Sequence, residues 1–142
     1  MSNRSTNRLS SAKLLKAGGA AILAAVIVNI LIRLILAVII PLAQDFVPFA
    51  FGSIIIFSII FTLIGVGVLA LVNRLVTNTM KVYNIIGIAA LVISILPNLA
   101  GSANPAAIPM GGEGANYLIL IIFHITGAAG FLGTLNYFTR QG

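Results

Sequence analysis

Arg33 and His124 are the residues here whose types admit chemistry in an unusual setting, because each lies inside a long apolar run. A base needs a partner acid or nucleophile to catalyse, and the two carboxylates, Asp45 and Glu113, sit singly in separate polar segments. No general acid and base pair and no Ser-His-Asp arrangement can be argued from this spacing. The chain has no cysteine, which removes disulfides, thiolate ligands and a cysteine nucleophile. One histidine, with no methionine well inside an apolar run, is too few ligands for zinc or haem. The expectation is therefore no catalytic residue, no metal and no cofactor.

What remains is a set of polar side chains at membrane depth. An arginine at the centre of a membrane helix costs about 2.5–3.5 kcal/mol even on the lenient insertion scale, so Arg33 needs a partner. Helical side chains point toward the N-terminus, which would send Arg33 deeper into the bilayer and toward an internal partner. Asn29 lies one turn earlier, and Ala17, Ala21 and Ala25 continue the same i, i+4 row, a ridge expected to face other helices. Comparable pairs are Ser58 with Thr62 and Ser94 with Asn98, while His124 follows Tyr117 by two turns. Two readings of Asn29, Arg33, Ser58, Thr62, Ser94, Asn98, Tyr117 and His124 stand side by side. They are interhelical hydrogen bonds, or they line an outward-facing polar cavity with Arg33 as an anion or headgroup contact and His124 as a titratable or ligating group.

The elements that carry these residues follow from composition. Of 142 residues 60% are hydrophobic and only 7% charged, with mean hydropathy +1.16, whereas a soluble domain is about 25% charged. The surplus apolar surface must face lipid. Eight bases against two acids give a net charge of +6, but no polar surface exists to present them to nucleic acid, so none is expected as a partner. Membrane lipid is the expected partner, with other membrane subunits or further copies of the chain.

Four apolar runs predict an all-α membrane protein, an antiparallel bundle of four transmembrane helices forming a single membrane domain over residues 1–142. The helices are expected at about 13–40, 49–72, 82–99 and 115–138. Residues 1–12 read as a mobile cytoplasmic tail that turns helical at Ser10 or Ser11 as N-cap. A signal peptide is a poor fit, because the first apolar run exceeds an h-region, contains Arg33 and lacks a small-x-small cleavage site; it reads as an uncleaved first span. Pro41 marks the first helix end and Pro48 suits the second helix start. Pro97 is expected in the last turn of the third, and Ile40-Pro41 with Leu96-Pro97 hints at duplicated hairpins. Residues 102–116, with Pro105, Pro109, Gly111, Gly112 and Gly114, form the longest connection, read as a flexible connector or a lid. Gly127, Gly130 and Gly133, with Ala129, offer a small-residue face on the fourth helix.

Short loops rich in Lys and Arg stay cytoplasmic. Arg4, Arg8, Lys13 and Lys16, then Arg74 and Lys81, then Arg140 all fall on one side of this topology, with Asp45 and Glu113 on the other. Both termini are thus expected in the cytoplasm, in a bacterial inner membrane. Tyr83, Tyr117 and Tyr137 fall at helix ends, where an interfacial aromatic belt is expected.

Leu91 to Gly101 (LVISILPNLAG), the Gly/Pro connection and the histidine within Ile121 to Ala129 (IIFHITGAA) resemble domain-of-unknown-function family 6069, small bacterial four-span proteins. The resemblance covers nearly the whole chain from Lys16 and implies four spans but no activity. A noncatalytic accessory subunit or self-associating bundle is the leading expectation. A small carrier or binder using an outer cavity around Arg33 and His124 is the alternative.

Overall fold

A computed structural model describes residues 8–108 and 110–140. It has four long helices, α1 (Ser11–Ile39), α2 (Phe51–Leu75), α3 (Thr79–Ala103) and α4 (Gly114–Arg140), with single 3-10 turns at Val47–Phe49 and Pro105–Ala107. Each helix has 25 to 29 residues and is long and apolar enough to cross a bilayer. At 1.5 Å per residue they extend about 37–44 Å, against about 30 Å of hydrocarbon.

Local chemistry accounts for most of the ends. Ser10 caps α1 by accepting from the Lys13 N–H at 3.3 Å, which leaves only residues 8–10 of the expected tail described ahead of the helix. Ile40 turns extended, at φ −136° and ψ 145°, because the ring of Pro41 excludes the helical conformation just before it. Pro48 does not start α2; it is the middle residue of the 3-10 turn, and α2 begins after it at Phe51 and runs on to Leu75. α3 departs further from the expected 82–99. It starts at Thr79, passes through Pro97 and ends at Ala103, so Gly101 is helical and the long connection begins later than its composition suggests. Proline is tolerated within membrane helices because nearby hydroxyls and amides take up local backbone groups. Here Ser94 donates to Leu91 O, Asn98 to Ser94 O and Ser102 to Leu99 O around the proline. α1 stops at its proline and α3 continues through its own, so the two hairpins are not equivalent.

The helices alternate in direction, giving a basic end (Lys13, Lys16, Arg74, Lys81, Arg140) and a loop end (Asp45, Glu113). α1 and α4 share the most extensive seam, α2 flanks α1, α3 flanks α4, and α2 meets α3 along a slighter seam than these three. Two cores follow. Toward the basic end, Ala17, Ala21 and Ala25 lie buried with Leu69, Val72, Tyr83, Phe131 and Leu135, so the small ridge of α1 does face the bundle. There Asn73 binds both backbone groups of Leu9, accepting from its N–H at 2.8 Å and donating to its carbonyl at 2.9 Å, and also accepts from Thr79 Oγ1. The chain ahead of α1 is thereby tied to the end of α2. Asn84 and Asn136 exchange two amide bonds of 3.0 Å between α3 and α4.

At the loop end Leu42, Phe46, Phe49, Ile54, Tyr117 and Phe123 form a second core. The two connections dock on each other there. Val47 N–H donates to Met110 O, Gly112 N–H to the Asp45 carboxylate, and Tyr117 OH to Ile108 O at 2.8 Å. Phe46 meets Phe49 and Tyr117 edge to face at 4.7 and 4.9 Å, geometry that adds to burial. The long connection is thus neither free nor a lid over a cavity, but part of a packed cap. Gly111 and Gly112 allow it with φ of +78° and +69°, and a Cβ on Gly111 would run into the Asp45 carbonyl oxygen. Gly111→Val should detach the cap, since a β-branched residue is strained at that φ. Proteolysis in detergent should then cut the Ile108–Gly112 region, and a protease-resistant variant would refute the docking.

Two expectations need correction. Tyr117 and Tyr83 are not belt residues; they are 1% and 3% exposed, the first in the cap and the second donating to Gly65 O within the bundle. Only Tyr137, 59% exposed, remains at the surface. The small face of α4 is also narrower than its glycines suggest. Gly127 and Gly130 lie against Asn29 and Val28 of α1, whereas Gly133 has no neighbour where a Cβ would be and Ala129 is exposed.

Candidate functional site

The eight polar residues do not converge on one cavity. They separate into a mid-bundle contact, a set bonded within single helices, and an arginine at the loop end. Asn29 on α1 donates through Nδ2 to Ser58 Oγ on α2 at 3.0 Å, and its Oδ1 lies 3.5 Å from Thr126 Oγ1 on α4. Three helices meet there, and Gly127 makes room: a Cβ on it would lie 2.8 Å from Asn29 Nδ2. The sequence does not single out Thr126, whose hydroxyl proton is used within its own helix on Ile122 O at 2.8 Å and which meets Asn29 only as a contact. The only legible hint was its position next to Gly127.

Thr62 bonds back to the carbonyls of Ser58 and Ile59, Asn98 to Ser94 O and Ser94 to Leu91 O, each within its own helix. Tyr117 belongs to the cap. His124 is half-buried and forms no hydrogen bond with any of these residues. Every fully buried side-chain nitrogen or oxygen among the described residues has a partner. Among these candidates the Asn29–Ser58 pair is the bond that crosses between helices, worth about 0.6 kcal/mol on average in a membrane. Asn29→Leu should lower stability by no more than about 1 kcal/mol in detergent unfolding. A loss several times larger would show a more extensive network than these bonds.

Arg33 behaves differently from its expected inward orientation. Its Nε donates to the carbonyl of Phe49 at 3.2 Å, and its guanidinium lies 4.6 Å from the centre of the Phe51 ring. Both partners flank the start of α2, so the side chain is drawn toward the loop end. The reason is local: the 3-10 turn leaves Phe49 O available, and the aromatic face attracts the cation by about 0.5–2 kcal/mol. A single bond from the charged guanidinium to a carbonyl adds about 1.5–3 kcal/mol. Neither partner neutralises the charge. Asp45 accepts from Gly112 N–H instead, and no ion pair forms among the described residues. Beside Arg33 lies an open recess of about 300 Å³ lined by Arg33, Ala43, Gln44, Phe49, Ala50 and Phe51. His124 is not part of its wall.

At the basic end a second recess, of about 280 Å³, is lined by Ala12, Lys13, Lys16 and Phe138, with Lys16 Nζ 6.0 Å from the Phe138 ring centre. Among the described residues no three His, Cys, Asp or Glu side chains gather as metal ligands.

A family model described as a family of unknown function, DUF6069, matches residues 9–141. No curated protein and no solved structure matches the chain.

Proposed function

The chain belongs to the DUF6069 family, which carries no assigned activity, and from that premise we propose that it is a noncatalytic integral membrane protein that works by association. It would serve as an accessory subunit packed against a larger membrane complex, or as a bundle that assembles with its own copies. The observation that carries this reading is how its intramembrane polar groups are used. Asn29 bonds Ser58 across helices with Thr126 in contact beside it, and Asn84 bonds Asn136. Asp45 and Glu113 stand in the cap, away from the histidine and the mid-bundle hydroxyls, which leaves no acid and base pair at membrane depth. Copurification in mild detergent from native membrane, followed by native mass spectrometry, tests the reading. A stoichiometric protein partner or a defined homo-oligomer is expected, and a monomer that carries only small molecules refutes it.

The proposed location is a bacterial inner membrane with both termini cytoplasmic. Its support is the charge asymmetry between the basic end and the loop end. With two tyrosines buried, that asymmetry stands without the aromatic belt. Because the chain lacks cysteine, single cysteines at Asn78 and Ser102 report directly. An impermeant thiol reagent applied outside the cells should label Ser102→Cys and spare Asn78→Cys, and the reverse pattern inverts the topology.

A second reading, a small carrier or a binder of lipid or anions, is favoured by one feature, the open recess at Arg33. His124 has no place in it.

A further inference from the structure

We propose that the recess between Arg33 and the Ala43–Phe51 connection holds the phosphodiester of an anionic phospholipid from the leaflet at the loop end. The proposal rests on the second reading above and is independent of whether the chain associates. Three observations carry it. First, the guanidinium has five N–H donors, and only Nε is used, by Phe49 O. The four Nη–H groups find no acceptor among the described residues. Second, no carboxylate among the described residues stands within ion-pair distance of Arg33; the Asp45 carboxylate takes its bond from Gly112 N–H. Third, the depth is that of a lipid headgroup. Arg33 lies ~9 Å of helix rise below the end of α1 at Ile39, and its guanidinium is drawn to the level where α2 begins, at Phe51.

The Phe51 ring covers one face of the planar guanidinium and the Phe49 carbonyl holds its Nε edge. The Nη edge is left for two parallel N–H···O bonds to a phosphate, the fork geometry that suits arginine better than lysine. Gln44, exposed on the recess wall, supplies an amide for a headgroup hydroxyl or phosphate oxygen. The exposed Phe51 ring on the recess wall is an apolar contact for the upper acyl chains. A zwitterionic lipid carries the same phosphate but adds a cation, which an arginine without an ion-pair partner disfavours.

The test uses full-length protein in mixed micelles containing equal phosphatidylglycerol and phosphatidylcholine, with lipid retention read by native mass spectrometry. Wild type should retain phosphatidylglycerol about tenfold over phosphatidylcholine, equivalent to ~1.4 kcal/mol. Arg33→Gln should bring the ratio close to one. Arg33→Lys, which keeps the charge but loses the fork, should keep an intermediate preference and guards against a folding defect, checked by circular dichroism. Addition of ~10 mM inorganic phosphate should leave retention unchanged, because a lipid is held by its chains as well as its headgroup. Displacement by inorganic phosphate overturns the lipid source in favour of a free anion. A wild-type ratio near one, or a ratio unaffected by Arg33→Gln, overturns the selectivity. Loss of both lipids together in Arg33→Gln keeps the binder reading and overturns only the anionic class. Retention of neither lipid by wild type overturns both.

Discussion

Gly101→Val is expected to lower the stability of the bundle by ~3 kcal/mol or more. Gly101 is in α3 beside the Tyr117 ring of α4, and a Cβ there would fall on Cδ1, with Cε1 only 2.6 Å away. Overpacking usually costs about 1–3 kcal/mol, and the lower end applies where the neighbour can move. Tyr117 cannot: its hydroxyl is fixed to Ile108 O, Phe46 meets its ring edge to face, and it is 1% exposed. The strain therefore passes into the cap, and the unfolding midpoint should fall together with protection of the long connection. Gly19→Val is the matched control, because no atom lies within 4 Å of the Cβ position at Gly19. Equal midpoints for the two variants would contradict the α3–α4 approach at the loop end.

Gly127→Val is the second substitution with a large expected effect, a loss of ~2–4 kcal/mol. Its Cβ would meet Asn29 Nδ2 at 2.8 Å and Oδ1 at 3.1 Å across the most extensive seam of the fold. Strain of about 1–3 kcal/mol is joined by the Asn29–Ser58 bond at about 0.6 kcal/mol. Gly133→Val, on the same helix with open space around it, should be nearly neutral. The decisive measurement is a double-mutant cycle with Asn29→Ala. Shortening the side chain that clashes should rescue part of the loss, so the pair should be less harmful than the sum of the singles. Strict additivity would mean that the two residues do not touch.

The candidate cluster shows where reading polar residues along the chain succeeds and fails. The face of Asn29 is legible in the sequence, because its row of alanines suits close packing on another helix, and Asn29 does bond Ser58 and touch Thr126. Arg33 lies on the same row, yet its partners are a carbonyl and a ring on the connection that follows, which no helical spacing displays. Tyr117 and Tyr83 were assigned to the interface from their distance to helix ends, a rule that ignores rotation about the helix axis. Both rings turn inward because Gly101 and Gly65 make room for them and backbone carbonyls accept their hydroxyls.

What the amino-acid sequence determined by itself is the part that depends on local length and polarity. Four apolar runs long enough for a bilayer must become helices, since no other segment can satisfy its backbone bonds in lipid, and the bases divide one end from the other. Only the tertiary structure decided how those helices are rotated, where α3 ends beyond Pro97, and how the two connections lock into a cap. The physical reason is that lipid tails are as apolar as the bundle interior. A membrane helix therefore carries little amphipathic pattern to mark its inner face, and that face is settled by shape, by glycines opposite larger side chains and by which polar groups meet. The same holds for Arg33. Its cost was evident from position alone, but its outward turn, its unused donors and the recess beside it emerge only when α1 and the start of α2 are brought together.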